Sequence, residues 1–303
     1  MPVQRLRRLD APVALSLYDR LTMDALSCAY SRSECDALER DHPEMIVQRE
    51  ANVLGAINHG DAIVFPYAFE SISDFQDYFE PMFEKVLPRA RKAYGASTVR
   101  FRLTHGPSRP GIEATLKRLA FTPRKSWFQF SLAKGAPSPK IPAPKGITIT
   151  EGSLADLDEL LSIDHEAFPN TPMTRQGMVK IIAADGRLWV ARQKGTPVGF
   201  ALYDHIDAGQ GYLRTLAVRE ESRGLGIGGA LTLRTAKTLF AEGATRLDLR
   251  TNDDNGAAIR LYAYLGFKHV GSGRDYERPA DPKVVDRMRK QSEGTFIKFG
   301  GWR

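Results

Sequence analysis

No run of 18 consecutive apolar residues occurs in the 303-residue chain, so no segment is expected to cross a membrane as a helix. Cysteine is nearly absent. Cys28 and Cys35 lack the second pair or histidine cluster that a zinc site needs, so no metal is expected and both read as buried, inert thiols. With 26 Gly and 18 Pro, the chain has too little of either for a collagen-like or low-complexity protein. Arg5, Arg7 and Arg8 are followed only by a short apolar stretch from Ala11 to Leu17, which is not a signal peptide. The chain is therefore read as cytoplasmic. What remains is ordinary globular composition, 42% hydrophobic and 26% charged, and at ~150 residues per domain the length implies about two domains. Forty-three basic against 36 acidic side chains give a formal charge of +7, which favours anionic partners and names none.

The best boundary is 133–146, AKGAPSPKIPAPKG, where four prolines between Pro137 and Pro144 favour extended chain. It divides the chain into 1–132 and 147–303. In the second part, strands are expected at Ile147–Thr150, Leu188–Arg192, Val198–Tyr203, Tyr212–Val218 and Leu247–Thr251, with another from Phe267. Helices are expected after Ser153, which forms a capping box with Asp156, over Gly229–Glu242 and over Ala257–Leu265. Strands and helices alternate, so the class is α/β with a mixed sheet. A polar helix at Pro279–Glu293, carrying Lys283, Arg287, Arg289 and Lys290, and a strand at Thr295–Phe299 complete the chain.

The first part repeats this order weakly. A strand at Val3–Leu9 and a helix after Asp10 match the opening, and Val47 and Gly55 match Val190 and Gly199. Tyr94-Gly95-Ala96 followed by VRFRL at 99–103 matches Glu242-Gly243-Ala244 followed by LDLRT at 247–251, and LKRLAF at 116–121 matches the end of LYAYLGF at 261–267. A degenerate duplication is expected.

The most informative stretch is VREESRGLGIGG, Val218 to Gly229, between a strand and a helix. A diphosphate held by main-chain amides at a helix N-terminus needs close approach to the backbone, which Gly224, Gly226 and Gly228 permit; Arg223 adds positive potential. No Lys-Ser/Thr follows the glycines as a P-loop requires, and the spacing is not that of the dinucleotide GxGxxG.

Arg223-Gly-Leu-Gly-Ile-Gly228 resembles the R/Q-x-x-G-x-G/A coenzyme A motif of the GNAT superfamily of acyl-CoA-dependent N-acyltransferases. The run from Asn255 through Ala258, Leu261, Tyr262 and Gly266 to Phe267 resembles that family's N-x-x-A-x-x-L-Y-x-x-x-G-F segment. The likeness covers roughly 147–277 and implies a tandem protein of two GNAT-like domains, each a mixed, mostly antiparallel sheet flanked by helices. It implies acetyl-CoA as co-substrate, with pantetheine against Leu216, Ala217 and Val218 and pyrophosphate on the amides from Arg223 through Gly224, Leu225, Gly226, Ile227 and Gly228 to Gly229. Asn255 is implied as a coenzyme contact, with helix capping as its alternative. Tyr262 matches the position that protonates the departing thiolate; a phenol of pKa ~10 can serve a thiol of pKa ~8.5 once water is excluded. Tyr264, on a different helix face, is expected to pack.

The usual acid in the strand before the glycine turn is replaced by Arg214, so the base is water-mediated or one of Glu166, Asp204, His205 and Asp207. Glu166, Phe168 and Arg214 are the acceptor-side candidates, Arg214 either gripping an acceptor carboxylate or phosphate or forming a salt bridge within the protein. In the first part FQDYFEP, 75–81, stands against the glycine turn with no glycine and with Asp77 and Glu80, and Leu116 stands against Tyr262, so that half is expected to have lost the chemistry. The function these features imply is acetyl transfer to a small-molecule or peptide amine by direct attack. An aminoacyl-tRNA-acetylating toxin and a non-catalytic coenzyme-binding or partner-binding module are the alternatives. Nucleic acid is otherwise not the expected partner, and the sequence sets neither acceptor nor oligomeric state.

Overall fold

The computed structural model describes residues 16–19, 26–28, 32–59, 62–104, 109–137, 139, 141–142, 144–169, 172–183, 186–207 and 209–297. The expected strand at 3–9 and the start of the helix after Asp10 lie outside them.

The first part contains β1 (Leu26–Cys28), α1 (Arg32–Asp41), β2 (Ile46–Arg49), β3 (Asn52–Gly55), β4 (Ile57–His59), β5 (Ala62–Val64) and β6 (Tyr67–Phe69). These are followed by α2 (Ile72–Tyr94), β7 (Thr98–Thr104), α3 (Arg109–Arg118) and β8 (Thr122–Ala133). The second part begins with β9 (Ile147–Glu151), α4 (Leu157–Ala167), α5 (Arg175–Ala183), β10 (Arg187–Gln193), β11 (Thr196–Asp207) and β12 (Gln210–Val218). It ends with α6 (Ile227–Ala241), β13 (Arg246–Asn252), α7 (Gly256–Tyr264), β14 (Lys268–Pro279) and α8 (Pro282–Ile297). The mixed α/β class is as expected. The strand placed at Thr295–Phe299 is not: Thr295–Ile297 are the last turn of α8, whose apolar Val284 and Val285 set a helical period that the short TFIKF run does not interrupt.

Local chemistry explains the joints. β10 and β11 are linked by two residues, Lys194 (φ 48°) and Gly195 (φ 88°), the pair of positive angles that a type I′ hairpin demands. Ser153 caps its turn by accepting from Ala155 N–H, while Asp156 accepts from Ser153 N–H at 3.0 Å, closing the expected capping box.

The duplication is visible in the pairing. Ala62–Val64 run parallel to Thr98–Arg100, and Gln210–Leu213 run parallel to Arg246–Leu249, at a constant offset of 148 residues. The helix ends also agree: Phe121 N–H donates to Leu116 O at 2.9 Å and Phe267 N–H to Tyr262 O at 3.0 Å, with Ala120 (φ 62°) and Gly266 (φ 90°) left-handed at the stop.

The two parts nevertheless share one sheet. Its ten strands run β4-β5-β7-β14-β8-β13-β12-β11-β10-β9, with a separate four-stranded sheet β1-β6-β3-β2. β8, last strand of the first part, pairs with β13 of the second; β14, last strand of the second, pairs with β7 of the first. The terminal strands are thus exchanged, and each core takes side chains from the other part. Tyr276 and Ala280 sit in the first core, Phe130 and Leu132 in the second.

Candidate active site

β12 keeps its antiparallel partner β11 as far as Val218, but its parallel contact with β13 ends at Leu213↔Leu249. From Arg214 onward the two parallel strands part, and the β13-facing backbone edge of Arg214–Val218 is left without a strand. A β-bulge coincides with the parting: Leu202 pairs with Thr215 and Tyr203 with Leu213, so Arg214 is the extra residue.

Beyond Val218 the chain makes one short 3-10 turn, Glu220–Ser222, and then the glycine turn. Gly224 (φ 78°) and Gly226 (φ 80°) are left-handed, which a side chain would resist. No atom lies within 4 Å of where a Cβ on Gly224 would be, and only Ile141 reaches that distance at Gly226. Gly226 caps α6 with no side-chain cap, and the first helical bond is Ala230 N–H to Gly226 O at 3.0 Å. Among the described residues no protein acceptor meets the amides from Leu225 to Gly229. A row of bare N–H groups at the positive end of a 15-residue helix, with open space above it, fits a pyrophosphate. Ile141, from the proline-rich stretch, lies against Gly229, its Cδ1 2.5 Å from where a Cβ would stand, and Leu216 and Leu261 flank Gly228. Sequence reading did not anticipate Ile141, since nothing local marks a linker residue that folds back.

Tyr262, on α7, is 6% exposed and packs against Phe130 and Phe267, with ring centroids 6.0 and 5.6 Å away. Burial raises its phenol well above the ordinary range, with Tyr212 adding to the effect, so it stays protonated at working pH. Tyr264 is 62% exposed and does not pack as expected, because two residues along a helix turns it away from the core. Asn255 caps α7 by accepting from Ala258 N–H at 3.2 Å.

Glu166 and Arg214 are not brought together. Glu166 accepts from Glu220 N–H at 2.6 Å and from Arg219 at 3.2 Å, which ties α4 to the start of the glycine turn. Phe168 ends α4 and is partly buried against the cluster formed by α4, α5 and the inner sheet. His205 lies 3.2 Å from Glu242, which also binds Arg187, in an ion cluster away from the parted strands. The side chain of Asp207 lies outside the description. Arg214 donates from Nε to Oδ2 of Asp204 at 2.8 Å, with Nη2 in ion-pair contact with the same oxygen at 2.8 Å, and lies over the Tyr212 ring. The salt bridge within the protein is therefore the arrangement found for Arg214.

The GNAT acetyltransferase family model matches residues 154–267, from the first turn before α4 to the end of α7. A mycothiol acetyltransferase of Acidothermus cellulolyticus is 28% identical over 206 residues, covering 59% of this chain and 62% of the relative, so the chain spans less than two thirds of that relative's length. An uncharacterized N-acetyltransferase of Methanocaldococcus jannaschii is 33% identical over 152 residues, covering 49% of this chain and 96% of the relative. The fold is shared with a solved tandem GNAT protein from the clavulanic acid biosynthesis pathway, at a TM-score of 0.56 and 14% identity over 78% of this chain and 82% of that one. The match to nearly the whole of an N-acetyltransferase, together with a family model that spans the parting strands and the uncapped, glycine-led helix, leaves one conclusion: the chain belongs to the GNAT acetyltransferase family.

Proposed function

We propose that the protein transfers an acetyl group from acetyl-CoA to an amine by direct attack, and that the chemistry belongs to the second half. The observation that carries this reading is the row of unpaired amides at the start of α6, beside a strand edge left open where β12 and β13 part. The open edge of Leu216, Ala217 and Val218 suits a pantetheine arm hydrogen-bonding as an added strand. The expected pyrophosphate row from Arg223 to Gly229 narrows to the amides from Leu225 to Gly229, since Arg223 N–H donates to Glu220 O at 3.1 Å; Asn255 caps α7.

Proton bookkeeping follows from the groups at hand. An ammonium acceptor loses two protons on becoming an amide. The departing thiolate regains one, for which Tyr262 is the donor, its phenol kept neutral by burial. The other leaves to solvent. No covalent carrier is needed, and Cys35 is fully buried in the first core. Relatives named mycothiol acetyltransferases support acetyl as the group transferred.

The test is release of free thiol from acetyl-CoA in the presence of a panel of amines, with the acetylated product identified by mass. Amine-dependent release is expected. Coenzyme binding without turnover on any amine would favour a binding module, and turnover only with charged tRNA would favour the toxin.

A further inference from the structure

With the acidic position of β12 filled by Arg214, the acceptor's proton needs another receiver. Among the described residues two buried aspartates, Asp204 and Asp248, have an Oδ1 with no hydrogen-bond partner, although a buried carboxylate oxygen ordinarily has one. Asp248 is held by Gln210 and Arg246, where β12 and β13 are still paired, whereas Asp204, 6% exposed, is held by Arg214 at the bulge. The other Asp204 oxygen, Oδ2, accepts from Arg214 Nε and lies in ion-pair contact with its Nη2. The carboxylate is thereby clamped in one orientation with one oxygen spare.

Placement links it to the chemistry. Asp204 pairs with Tyr212 across β11 and β12, one rung from the bulge at Arg214 where the sheet opens. Phe200 and Leu202, which alternate with Asp204 along β11, face α4 and α5, while Tyr203 and Leu213 face the opposite side with Tyr262. Asp204 and Tyr262 therefore address the parting strands from opposite faces of the sheet, as a proton receiver for the incoming nitrogen and a proton donor for the leaving sulfur should. α1 of the first half packs across β11 on the acceptor side and brings Glu34 into electrostatic reach of both Asp204 and Arg214. The charged groups around Asp204 are then Arg214 on β12, Glu34 on α1 and His205 on its own strand. With Oδ2 taken by Arg214, the partnerless Oδ1 suits an ammonium N–H and would repel a carboxylate-bearing acceptor.

We propose that Asp204, oriented by Arg214, is the acceptor-side residue of the transfer: its Oδ1 receives the ammonium group of a cationic amine and takes the proton that frees the nitrogen lone pair. This rests on the acetyltransfer reading above. In the balanced step the ammonium N–H proton passes to Asp204, directly or through one water. The neutral nitrogen forms a bond to the thioester carbonyl carbon, the carbon–sulfur bond breaks, and the thiolate takes the Tyr262 proton. The nitrogen's second proton restores the phenol, and Asp204 returns its own to solvent. Burial raises the Asp204 carboxyl above the ordinary range against the pull of Arg214, which makes it a better proton acceptor than a surface aspartate.

The experiment compares Asp204→Asn with the unaltered protein on 2-phenylethylamine, an ammonium at neutral pH, and on its β,β-difluoro analogue, of nearly the same shape but with a nitrogen largely neutral there. If Asp204 is the base, kcat/KM on the basic amine should fall roughly 10²-fold or more, the loss on the difluoro amine should be at least tenfold smaller, and coenzyme binding should persist. Equal losses on both amines, or none, would overturn the assignment. A second measurement needs no variant: trimethyl(2-phenylethyl)ammonium, which cannot be acetylated, should inhibit the unaltered protein at far lower concentration than its uncharged tert-butyl isostere. Equal inhibition overturns the cationic site even if the variant fails to fold. Absence of turnover on every amine by the unaltered protein would overturn the acetyltransfer reading itself, and this proposal with it.

Discussion

Because the last strands are exchanged, cutting the chain at the proline-rich stretch should destroy the second half rather than release it. The piece 147–303 loses β8, which supplies Phe130 and Leu132 to its core at 5% and 3% exposure and pairs with β13 from Ala133 to Trp127. Burying two such side chains is worth about 3–6 kcal/mol at ~1.5–3 kcal/mol each, against a total domain stability of about 5–15 kcal/mol. The vacancy cannot be filled by β14 swinging back. At the 146-residue offset of the helix stops, Phe130 corresponds to Tyr276 and Leu132 to Arg278, so the replacement strand would drive a guanidinium into an apolar layer. β13 would also be left as an unpaired edge beside exposed apolar surface, an invitation to aggregate. The assay is expression of 147–303 alone, followed by thermal melting with and without coenzyme A. Insolubility, or a non-cooperative melt, is expected, and co-expression with 1–146 should restore both folding and coenzyme binding. A soluble 147–303 that melts cooperatively at the temperature of the full chain, with the same coenzyme shift, would refute the reasoning.

Gly226→Glu should remove coenzyme binding while destabilising the apo protein by less than about 2 kcal/mol, since a left-handed residue costs about 1–2 kcal/mol and a carboxylate at a helix N-terminus returns about 0.3–1. The ~2.7 kcal/mol stabilisation expected at 100 times Kd should vanish from the melting curve, and an unaltered coenzyme shift would rule out the glycine turn as the site. Tyr262→Phe should keep coenzyme affinity and lower kcat by roughly 10²-fold; unchanged kcat at saturating substrates would make the phenol a packing group. Asp275→Asn should destabilise the protein by about 2 kcal/mol at neutral pH, because Asp275 accepts from Arg102 at 3.1 Å and from Trp127 at 3.2 Å. Burial opposes its ionisation, but Arg102 and Arg100 outweigh that and hold its carboxyl below the ordinary range. The contribution is then complete above the unfolded value of ~3.9 and lost as pH falls through the lower folded value, so urea titrations of the two proteins should differ at pH 7 and converge in strong acid.

Much of the site could be read from the sequence because its chemistry is local. The glycine turn, the cap at Asn255 and the Tyr262 helix each depend on residues within one or two turns of chain, and hairpin signals such as Lys194-Gly195 sit between the strands they join. The exchange of β8 and β14 could not be read the same way: nothing local to either strand marks its partner, and the choice is made by side chains more than 100 residues away. The pairing of Asp204 with Arg214 lies between these cases. The residues are ten positions apart on adjacent strands, near enough to suspect, but their register depends on a bulge that shifts β12 by one residue and that no turn residue announces.

The same duplication explains why only one half should hold a coenzyme. At the 148-residue offset Pro66 stands where Arg214 stands, and the first half's strand breaks there instead of bulging, so that β5 joins the ten-stranded sheet and β6 the smaller one. The residues that follow are aromatic. Tyr67 stacks on Phe101 at 4.6 Å and Phe75 on Phe79 at 4.6 Å, with Phe69 and Phe83 in edge and stacked contact with them. Phe75 and Phe79 occupy the positions of Arg223 and Ile227, and they lie inside α2, which starts at Ile72 under a Ser71 cap that accepts from Asp74 N–H. Where the second half interposes a turn of bare amides, the first half therefore continues a capped helix whose inner face is filled with rings. Those rings close the gap between parting strands with apolar volume, and opening it for pantetheine would expose side chains that are each 2% exposed or less. The first half thus retains the splayed topology as a packed wall. Its contact with the second half includes α1, which packs against β11.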